Sequence, residues 1–153
     1  MKIIGIDPGI SGALAVISED VSGIFDMPVM SSSKGKNQIN PYELADILRF
    51  EMPDKVVIEK VSAMPGQGVT SMFSFGKSVG IIEGVCAALG LPVEFLTPQS
   101  WKKKAGLIGK DKDYSRTMAI QKYPEFAPRL SRKKDVGRAD AIHIAMHHYL
   151  GLK

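Results

Sequence analysis

Two short apolar runs that each end in an acid constrain this chain most. Residues 2–7, Lys-Ile-Ile-Gly-Ile-Asp, stop at Asp7 before Pro8-Gly9, and residues 55–59, Lys-Val-Val-Ile-Glu, stop at Glu59. Continuous apolar, β-branched runs of this length are typical of strands buried inside a sheet. A charge placed directly after such a strand has to be solvated, paired or bound to a metal. If the two strands are neighbours, both carboxylates lie close enough to share one cation.

A third acid, Asp140, follows Gly137-Arg138-Ala139 near the start of the last predicted helix. An acid there can simply complement the helix dipole, and Asp7 before Pro-Gly can simply belong to a turn. Taken together, the three acids predict a site with oxygen ligands only. Such a site suits magnesium or manganese rather than zinc.

A zinc site is the competing interpretation of the same helix, because Asp140, His143 and His147 share one of its faces. Zinc sites normally add cysteine or histidine from elsewhere in the chain. Only His148 and the single Cys86 remain, and Cys86 lies in an apolar stretch that predicts a buried small hydrophobe. A polar, solvated helix face is therefore the favoured interpretation, with His143 near enough to influence the site.

The remaining pattern predicts alternating strands and helices in one domain of residues 1–153. Strands are expected at 2–7, 13–18, 23–29, 55–59 and 92–96, and helices from Pro41 onward and over 70–89, 98–104, 115–122 and 137–150. Residues 31–39 are polar and rich in Gly and Ser, so a mobile loop is expected there. Gly76, Gly80 and Gly84 would lie along one helix face, which favours close packing within the domain or across a dimer.

Positive charge is concentrated in one part of the chain. The net charge is +4 with a pI near 9.2, and most of the excess lies between Trp101 and Arg138. This distribution predicts a surface that faces a polyanion, although a lysine run can also be a solvated helix face. The sequence has neither a signal-peptide pattern nor an apolar run long enough for a membrane span, so a cytoplasmic protein without a membrane partner is expected.

Three motifs, in order, resemble the RuvC family of Holliday junction resolvases. They are Gly-Ile-Asp-Pro-Gly-Ile-Ser-Gly-Ala-Leu-Ala at 5–15, Val-Val-Ile-Glu-Lys-Val at 56–61 and Gly-Arg-Ala-Asp-Ala-Ile-His-Ile-Ala at 137–145. Phe75-Gly76 with Gly80, Pro98 with Trp101-Lys102, and Lys133-Lys134-Asp135 occur in the same order in small phage-type members. The resemblance covers nearly the whole chain.

The resemblance implies a ribonuclease H-like α/β fold, with a mixed sheet of three antiparallel strands followed by two parallel ones. It implies a homodimer that nicks four-way junctions symmetrically during DNA recombination and repair, using two Mg²⁺ ions per site, for which Mn²⁺ can substitute. Asp7, Glu59 and Asp140 match the metal-binding, catalytic acids of the family. The residues expected to contact DNA phosphates are Lys102, Lys103, Lys104, Lys133 and Lys134.

The chain departs from the family pattern at two positions. Many bacterial members carry Asp or His where this chain has Gly137, so Asp135 is the candidate fourth catalytic and metal-binding acid if the chain folds back, and otherwise a loop charge. Bacterial members often use an aromatic wedge where this chain has Ser62, and Met64, or Phe73 further along, is the candidate substitute. The second departure predicts cleavage of branched DNA in general rather than of four-way junctions alone.

Two other functions fit parts of the pattern. A non-catalytic binder of branched DNA with the same fold would lack one of the acids, and Gly137 keeps that alternative open. An actin-like nucleotide-binding phosphotransferase would share the turn of Asp7-Pro8-Gly9 and Gly12. Proteins of that type need two related domains around the nucleotide, and 153 residues supply one.

Overall fold

The computed structural model describes residues 1–19 and 22–151, and their strands and helices alternate along the chain. The strands are β1 Ile3–Asp7, β2 Ala13–Ile17, β3 Ser22–Asp26, β4 Val29–Ser31, β5 Asn37–Ile39, β6 Lys55–Glu59 and β7 Val93–Leu96. The helices are α1 Pro41–Glu51, α2 Val69–Ala88, α3 Pro98–Ala105, α4 Tyr114–Lys122 and α5 Val136–Gly151. Two short 3₁₀ helices, Pro124–Arg129 and Lys133–Asp135, precede α5.

The central sheet has five strands in the order β3-β2-β1-β6-β7. The first three strands are antiparallel to one another, whereas β1 and β6 run parallel, as do β6 and β7. This arrangement confirms the predicted mixed sheet. It also confirms that the two apolar runs ending in acids are neighbours, because Ile6 is paired with Ile58 and the next residues are Asp7 and Glu59.

The sheet separates two apolar clusters. On one side α5 packs with α3, α4 and the first 3₁₀ helix around Trp101, Leu130 and Ile142. On the other side α1 and α2 cover a cluster that contains Leu44, Ile82 and the buried Cys86, as predicted for the cysteine. Burial on both faces explains why β1 and β6 are apolar throughout.

Helix α5 lies very close to β1 at Gly5. A Cβ atom at Gly5 would lie 2.4 Å from the backbone nitrogen of Ala145 and 2.5 Å from the carbonyl oxygen of Ala141. Only glycine therefore permits this approach of helix to strand. On α5 the side chains of Ile142, Ala145 and Tyr149 are buried, but Leu150 is 44% exposed.

The segment expected to be a mobile loop is a hairpin instead. Strands β4 and β5 pair through Val29 with Ile39 and Ser31 with Asn37, forming a separate two-stranded sheet. The polar composition of residues 31–39 gives no apolar strand pattern, because both faces of the hairpin lie largely outside the core. Ile39 is the buried exception. The third central strand accordingly ends at Asp26 rather than at the predicted position 29.

The helix starts follow local rules. The side chain of Asn40 accepts hydrogen bonds from the backbone N–H groups of Tyr42 and Glu43, with Pro41 at the first helical position, as predicted. Thr97 caps α3 in the same way by accepting from the N–H of Ser100. Within the described ranges, no helix combines the length and the apolarity that crossing a lipid bilayer requires.

Candidate active site

Three acids from three elements open on one cavity. Asp7 and Glu59 end the neighbouring parallel strands β1 and β6, and Asp140 lies in the second turn of α5, which packs across those strands. All three line a cavity of about 500 Å³, together with Trp101 and Ser115. The structure thus brings together the three acids that the sequence singled out from positions far apart in the chain.

The electrostatics of this cavity oppose the presence of three negative charges. Burial, reinforced by the charges of Asp140 and Glu59, raises the pKa of Asp7 to about 7. Burial raises the pKa of Asp140 to about 6, and the neighbouring charge of Glu59 adds to the effect. The pKa of Glu59 is raised as well, mainly by burial. A site that raises the pKa of several carboxylates in this way is stabilised by a bound cation.

Two lysines partly offset this repulsion. Lys102 of α3 and Lys112 of the loop before α4 line the cavity, and their charges lower the pKa of all three carboxyl groups. The sequence singled out Lys102 but missed Lys112. Lys112 lies in a polar loop without periodicity, so no local signal in the sequence points to it.

Glu59 and Asp140 are each held by a buried side chain. The indole Nε1 of Trp101 donates a hydrogen bond to Glu59 Oε2 at 2.7 Å, and the hydroxyl of Ser115 donates to Asp140 Oδ1. Trp101 is 1% exposed and Ser115 is 5% exposed, so both partners are fixed by packing. A tryptophan inside a lysine-rich helix was the only sequence signal for this arrangement, and nothing local indicated Ser115.

His143 lies beneath these two partners rather than in the cavity. Its ring stacks on Trp101 with the centroids 6.1 Å apart, and its Nε2 lies 2.9 Å from the carbonyl oxygen of Ser115. Burial lowers the pKa of His143, so the ring is neutral at pH 7 and its Nε2–H donates to that carbonyl. His143 therefore points away from any shared site with Asp140, and a zinc site on this helix face gains no support.

The donor set of the cavity fits a hard divalent cation, but the side chains do not yet converge. Asp7, Glu59 and Asp140 supply carboxylate oxygens, the ligands that Mg²⁺ and Mn²⁺ prefer. Among the described residues, no three acidic, histidine or cysteine side chains are arranged closely enough to hold a metal ion. One carboxylate oxygen of Glu59 accepts from Trp101, and one of Asp140 accepts from Ser115.

The position of the missing fourth acid is closed by packing. A Cβ atom at Gly137 would lie 2.6 Å from the carbonyl oxygen of Ser11, 3.2 Å from Gly12 Cα and 3.4 Å from Asp7 Oδ2. The turn between β1 and β2 thus occupies the space that a side chain at residue 137 would need. This chain cannot carry an acid there without moving the segment that follows Asp7.

Asp135 is not brought into the cavity. Its buried carboxylate accepts hydrogen bonds from the backbone N–H and guanidinium of Arg132 and lies 3.6 Å from Arg138 Nη1. Burial alone would raise the pKa of Asp135, but the bonds from Arg132 and the charge of Arg138 outweigh it and lower the pKa. The expected fold-back toward the other acids is absent, because Asp135 instead caps the short 3₁₀ helix before α5. Its paired carboxylate favours a structural role.

The remaining residues predicted to contact DNA are not among the described residues that line the cavity. Lys103, Lys104, Lys133 and Lys134 are exposed, and Lys104 donates to the carbonyl oxygen of His147 on α5. Met64 is 62% exposed in the loop between β6 and α2. Their contacts with DNA stay predictions.

Comparisons with known proteins agree with this fold and these motifs. The RuvC crossover junction endodeoxyribonuclease of Nitratidesulfovibrio vulgaris is 28% identical over 97% of this chain and 90% of its own length. A chloroplast Holliday junction resolvase of Chlamydomonas reinhardtii is 37% identical over 58% of this chain but only 10% of its own length. No protein-family profile matches the chain.

Solved structures show the same architecture. Thermus thermophilus RuvC in complex with a Holliday junction superposes with a TM-score of 0.69, at 21% identity over 99% of this chain and 94% of that one. The fowlpox virus Holliday junction resolvase superposes with a TM-score of 0.54, at 19% identity over the full length of both chains. At these identities the superpositions establish the fold, which is the ribonuclease H-like fold.

The fold and the carboxylate cavity therefore define an α/β protein of the ribonuclease H-like class. Within that class the chain is RuvC-like, in sequence over nearly its whole length and in structure over almost every residue. The resemblance predicted from the three motifs is confirmed.

Proposed function

We propose that this protein is a magnesium-dependent endonuclease that nicks Holliday junctions and other branched DNA. The observation that carries the proposal is the cavity in which Asp7, Glu59 and Asp140 meet beside Lys102 and Lys112. Acids at the ends of β1 and β6 and on α5 provide anionic ligands, and the lysines provide positive charge for a phosphodiester. The crossover junction activity named for the RuvC relative supports the choice of substrate.

Asp7, Glu59 and Asp140 would hold two Mg²⁺ ions, and Mn²⁺ would substitute because it accepts the same oxygen ligands. When bound, such ions activate a water molecule for attack on the phosphate and stabilise the leaving oxygen. The raised pKa values of Asp7 and Asp140 imply that cation binding displaces protons near neutral pH. Asp135, paired with Arg132, is not required for this site.

Trp101 and Ser115 act as positioning residues in the proposal. Each uses one hydrogen-bond donor to fix one carboxylate oxygen of Glu59 or Asp140, which leaves the second oxygen to face the cavity. Residues that orient the ligands of a metal commonly contribute roughly 10- to 100-fold to metal affinity or to activity. His143 supports both, because it stacks on Trp101 and bonds to the backbone of Ser115.

Lysines around the cavity would bind the flanking phosphates. Lys102 and Lys112 line the cavity with the acids, and the exposed Lys103, Lys133 and Lys134 would add further phosphate contacts. Contacts of this kind give affinity with little sequence information. The exposed Met64 would insert at the branch point, where an aliphatic side chain gives less shape selectivity than an aromatic wedge.

A homodimer is part of the proposal, and the outer face of α2 is its interface. This outer face consists of Gly76, Gly80, Gly84 and Ala87, all of which are exposed. No atom of the described residues lies within 4 Å of a Cβ built at any of its three glycines. A flat apolar face of small residues lets two helices approach closely. Two equivalent cavities in such a dimer would nick a four-way junction at symmetric positions.

The experiment that tests the proposal compares labelled four-way, three-way, flap and linear duplex DNA, each incubated with and without Mg²⁺. Nicking of the branched substrates is expected only with the metal. Asp7→Asn and Asp140→Asn are expected to lose nicking and to keep junction binding in a gel-shift assay. Asp46→Asn, on the exposed side of α1, is the matched control and is expected to cleave like the wild type.

Unimpaired cleavage by Asp7→Asn and Asp140→Asn would overturn the proposal. Tight junction binding without nicking in either Mg²⁺ or Mn²⁺ would instead establish the non-catalytic alternative. The closed position at Gly137 is the observation that keeps that alternative worth testing.

A further inference from the structure

The hairpin β4–β5 and helix α2 enclose a second, larger groove that the proposed cleavage chemistry does not use. Its volume is about 560 Å³, and we call it the hairpin groove. One wall is formed by residues 30–38 of the hairpin, and the other by Phe73, Ser74, Lys77 and Ile81 of α2. Ile10, which lies in the segment between β1 and β2 that follows Asp7, also lines the groove.

Both walls of the hairpin groove are held in place. The hairpin loop is closed by hydrogen bonds from Ser32 N–H to the carbonyl oxygen of Lys36, at 2.7 Å, and from Gly35 N–H to that of Ser32, at 2.9 Å. Lys77 Nζ donates to Gln38 Oε1 at 3.1 Å and so connects α2 to the hairpin. The groove is therefore a built feature of the fold rather than a gap beside a loose loop.

The lining of the groove is basic and rich in hydroxyl groups. It contains Lys34, Lys36 and Lys77, and among the described residues that line it there is no aspartate or glutamate. Within the described part of the chain, none of these three lysines forms an ion pair. Serines 31, 32, 33, 74 and 78 add neutral hydrogen-bonding groups. Lysine charge combined with serine hydroxyls is the side-chain chemistry that binds phosphate oxygens of a nucleic-acid backbone.

We infer that the hairpin groove binds the sugar-phosphate backbone of a DNA arm and guides that arm to the catalytic cavity. Ile10 lines the groove and lies three residues after Asp7, so the groove lies near the turn that follows this strand end. The groove also lies beside the outer face of α2 rather than on it, since Lys77 and Ile81 are offset around the helix from Gly76, Gly80 and Gly84. A dimer formed through the outer face would thus leave the groove open. The inference rests on the proposed function for the identity of the DNA.

The test is the salt dependence of junction binding, measured by fluorescence anisotropy without divalent metal so that no cleavage occurs. Lys34→Gln combined with Lys36→Gln removes two exposed, unpaired charges from the hairpin loop. Arg49→Gln combined with Lys55→Gln is the matched control, since it removes the same charge from α1 and from the end of β6 opposite Glu59. Each lost phosphate contact lowers the slope of log affinity against log salt by about 0.9.

In the variant with Lys34→Gln and Lys36→Gln, the slope of log affinity against log salt is expected to be about 1–2 smaller in magnitude than in the wild type. This groove variant is expected to bind the junction about tenfold or more weakly at 0.1 M salt. The control is expected to keep the wild-type slope within about 0.5. Equal slopes for the groove variant and the wild type, or no junction binding by either, would overturn the inference. Equal slopes with intact junction binding would overturn the inference alone, whereas the proposed function is tested separately by metal-dependent nicking and its loss in Asp7→Asn.

Two further experiments identify the source of the phosphate that the groove binds. On junctions whose arms are trimmed stepwise, the wild type is expected to converge on the affinity of the groove variant, because a short arm no longer reaches the groove. A variant defect that is the same at every arm length would overturn the inference. Inorganic phosphate at constant ionic strength is expected not to compete, whereas competition that is lost in the groove variant would reassign the groove to a small anion.

Discussion

Helices α5 and α2 flank the same sheet, yet they are used in opposite ways. Eight of the 16 residues of α5 are buried, whereas only Ser78, Ile82 and Cys86 are buried among the 20 residues of α2. Helix α2 has the more apolar sequence of the two, yet it is the more exposed helix. A glycine on α5, Gly137, has backbone within 3 Å of its would-be Cβ, but the glycines on the outer face of α2 have open space.

Glycine therefore has two distinct structural roles in this molecule. On α5 and β1 it lets backbones meet, which places Asp140 beside Asp7. On α2 it leaves a smooth surface that the isolated chain does not cover, which is the surface expected for a helix that packs against a second copy. Burial therefore distinguishes the helix that builds the site from the helix that would build the assembly.

Adding one methyl group to a glycine of each helix tests this difference in packing most directly. Gly137→Ala is expected to lower the free energy of unfolding by about 2–3 kcal/mol, because the new Cβ collides with the backbone of Ser11. Gly84→Ala is expected to raise it by up to about 1 kcal/mol through helix propensity, since its surroundings are open. Urea unfolding of both variants measures the difference. Equal effects would show that the two helices are not packed as described.

A charge on the outer face of α2 sharpens the second half of the comparison. Gly80→Glu is expected to weaken dimer formation by about 100-fold or more, because two like charges would be buried at a symmetric interface. Folding is expected to be unaffected, since no atom lies within 4 Å of that position. Sedimentation velocity and circular dichroism measure the two effects. A dimer that survives Gly80→Glu would place the interface elsewhere.

On the α5 side, Trp101→Phe separates positioning from packing. The phenyl ring can still stack on His143, but the hydrogen bond to Glu59 is lost. Nicking is expected to fall by about 10- to 50-fold at subsaturating Mg²⁺, which corresponds to the loss of one hydrogen bond to a charged group. The effect is expected to shrink as Mg²⁺ is raised, and junction affinity is expected to stay unchanged. A uniform loss at all Mg²⁺ concentrations would indicate a structural role only. Tyr42→Phe, on the exposed surface of α1, is the control.

A further prediction concerns the pH dependence of stability in the metal-free protein. The folded pKa of Asp7 is raised to about 7, above the unfolded value near 4, so the folded state holds its proton more tightly. The destabilising contribution of Asp7 is therefore absent below about pH 4, grows as the pH rises and is complete above about pH 7. Asp7→Asn is expected to raise stability by about 2–4 kcal/mol at pH 8, with the gain vanishing near pH 4.

Thermal unfolding of the metal-free wild type and Asp7→Asn between pH 4 and pH 8 measures this contribution. Asp46→Asn is expected to show no such trend, because Asp46 is exposed on α1 and lies outside the cavity. A gain for Asp7→Asn that is constant across this range would contradict a raised pKa as its cause. Added Mg²⁺ is expected to reverse the order and to stabilise the wild type above the variant.

Much of the fold was predictable because its determinants are local. Apolar runs marked β1 and β6, Asn40-Pro41 marked the start of α1, and a long apolar pattern marked α2 nearly to its ends. The hairpin β4–β5 was not predictable, because its polar strands bury little and carry no alternation.

For the candidate site, the sequence by itself determined which acids end the inner strands and which acid opens the last helix, since these depend on chain-local pattern and on resemblance to the RuvC family. The residues that surround these acids depend on the tertiary structure. It placed Lys112 and Ser115 in the cavity, joined Trp101 to Glu59, and paired Asp135 with Arg132 away from the other acids. The physical reason is that these contacts join residues that are distant in the chain, or depend on which way a short segment turns. Packing against the rest of the molecule sets both.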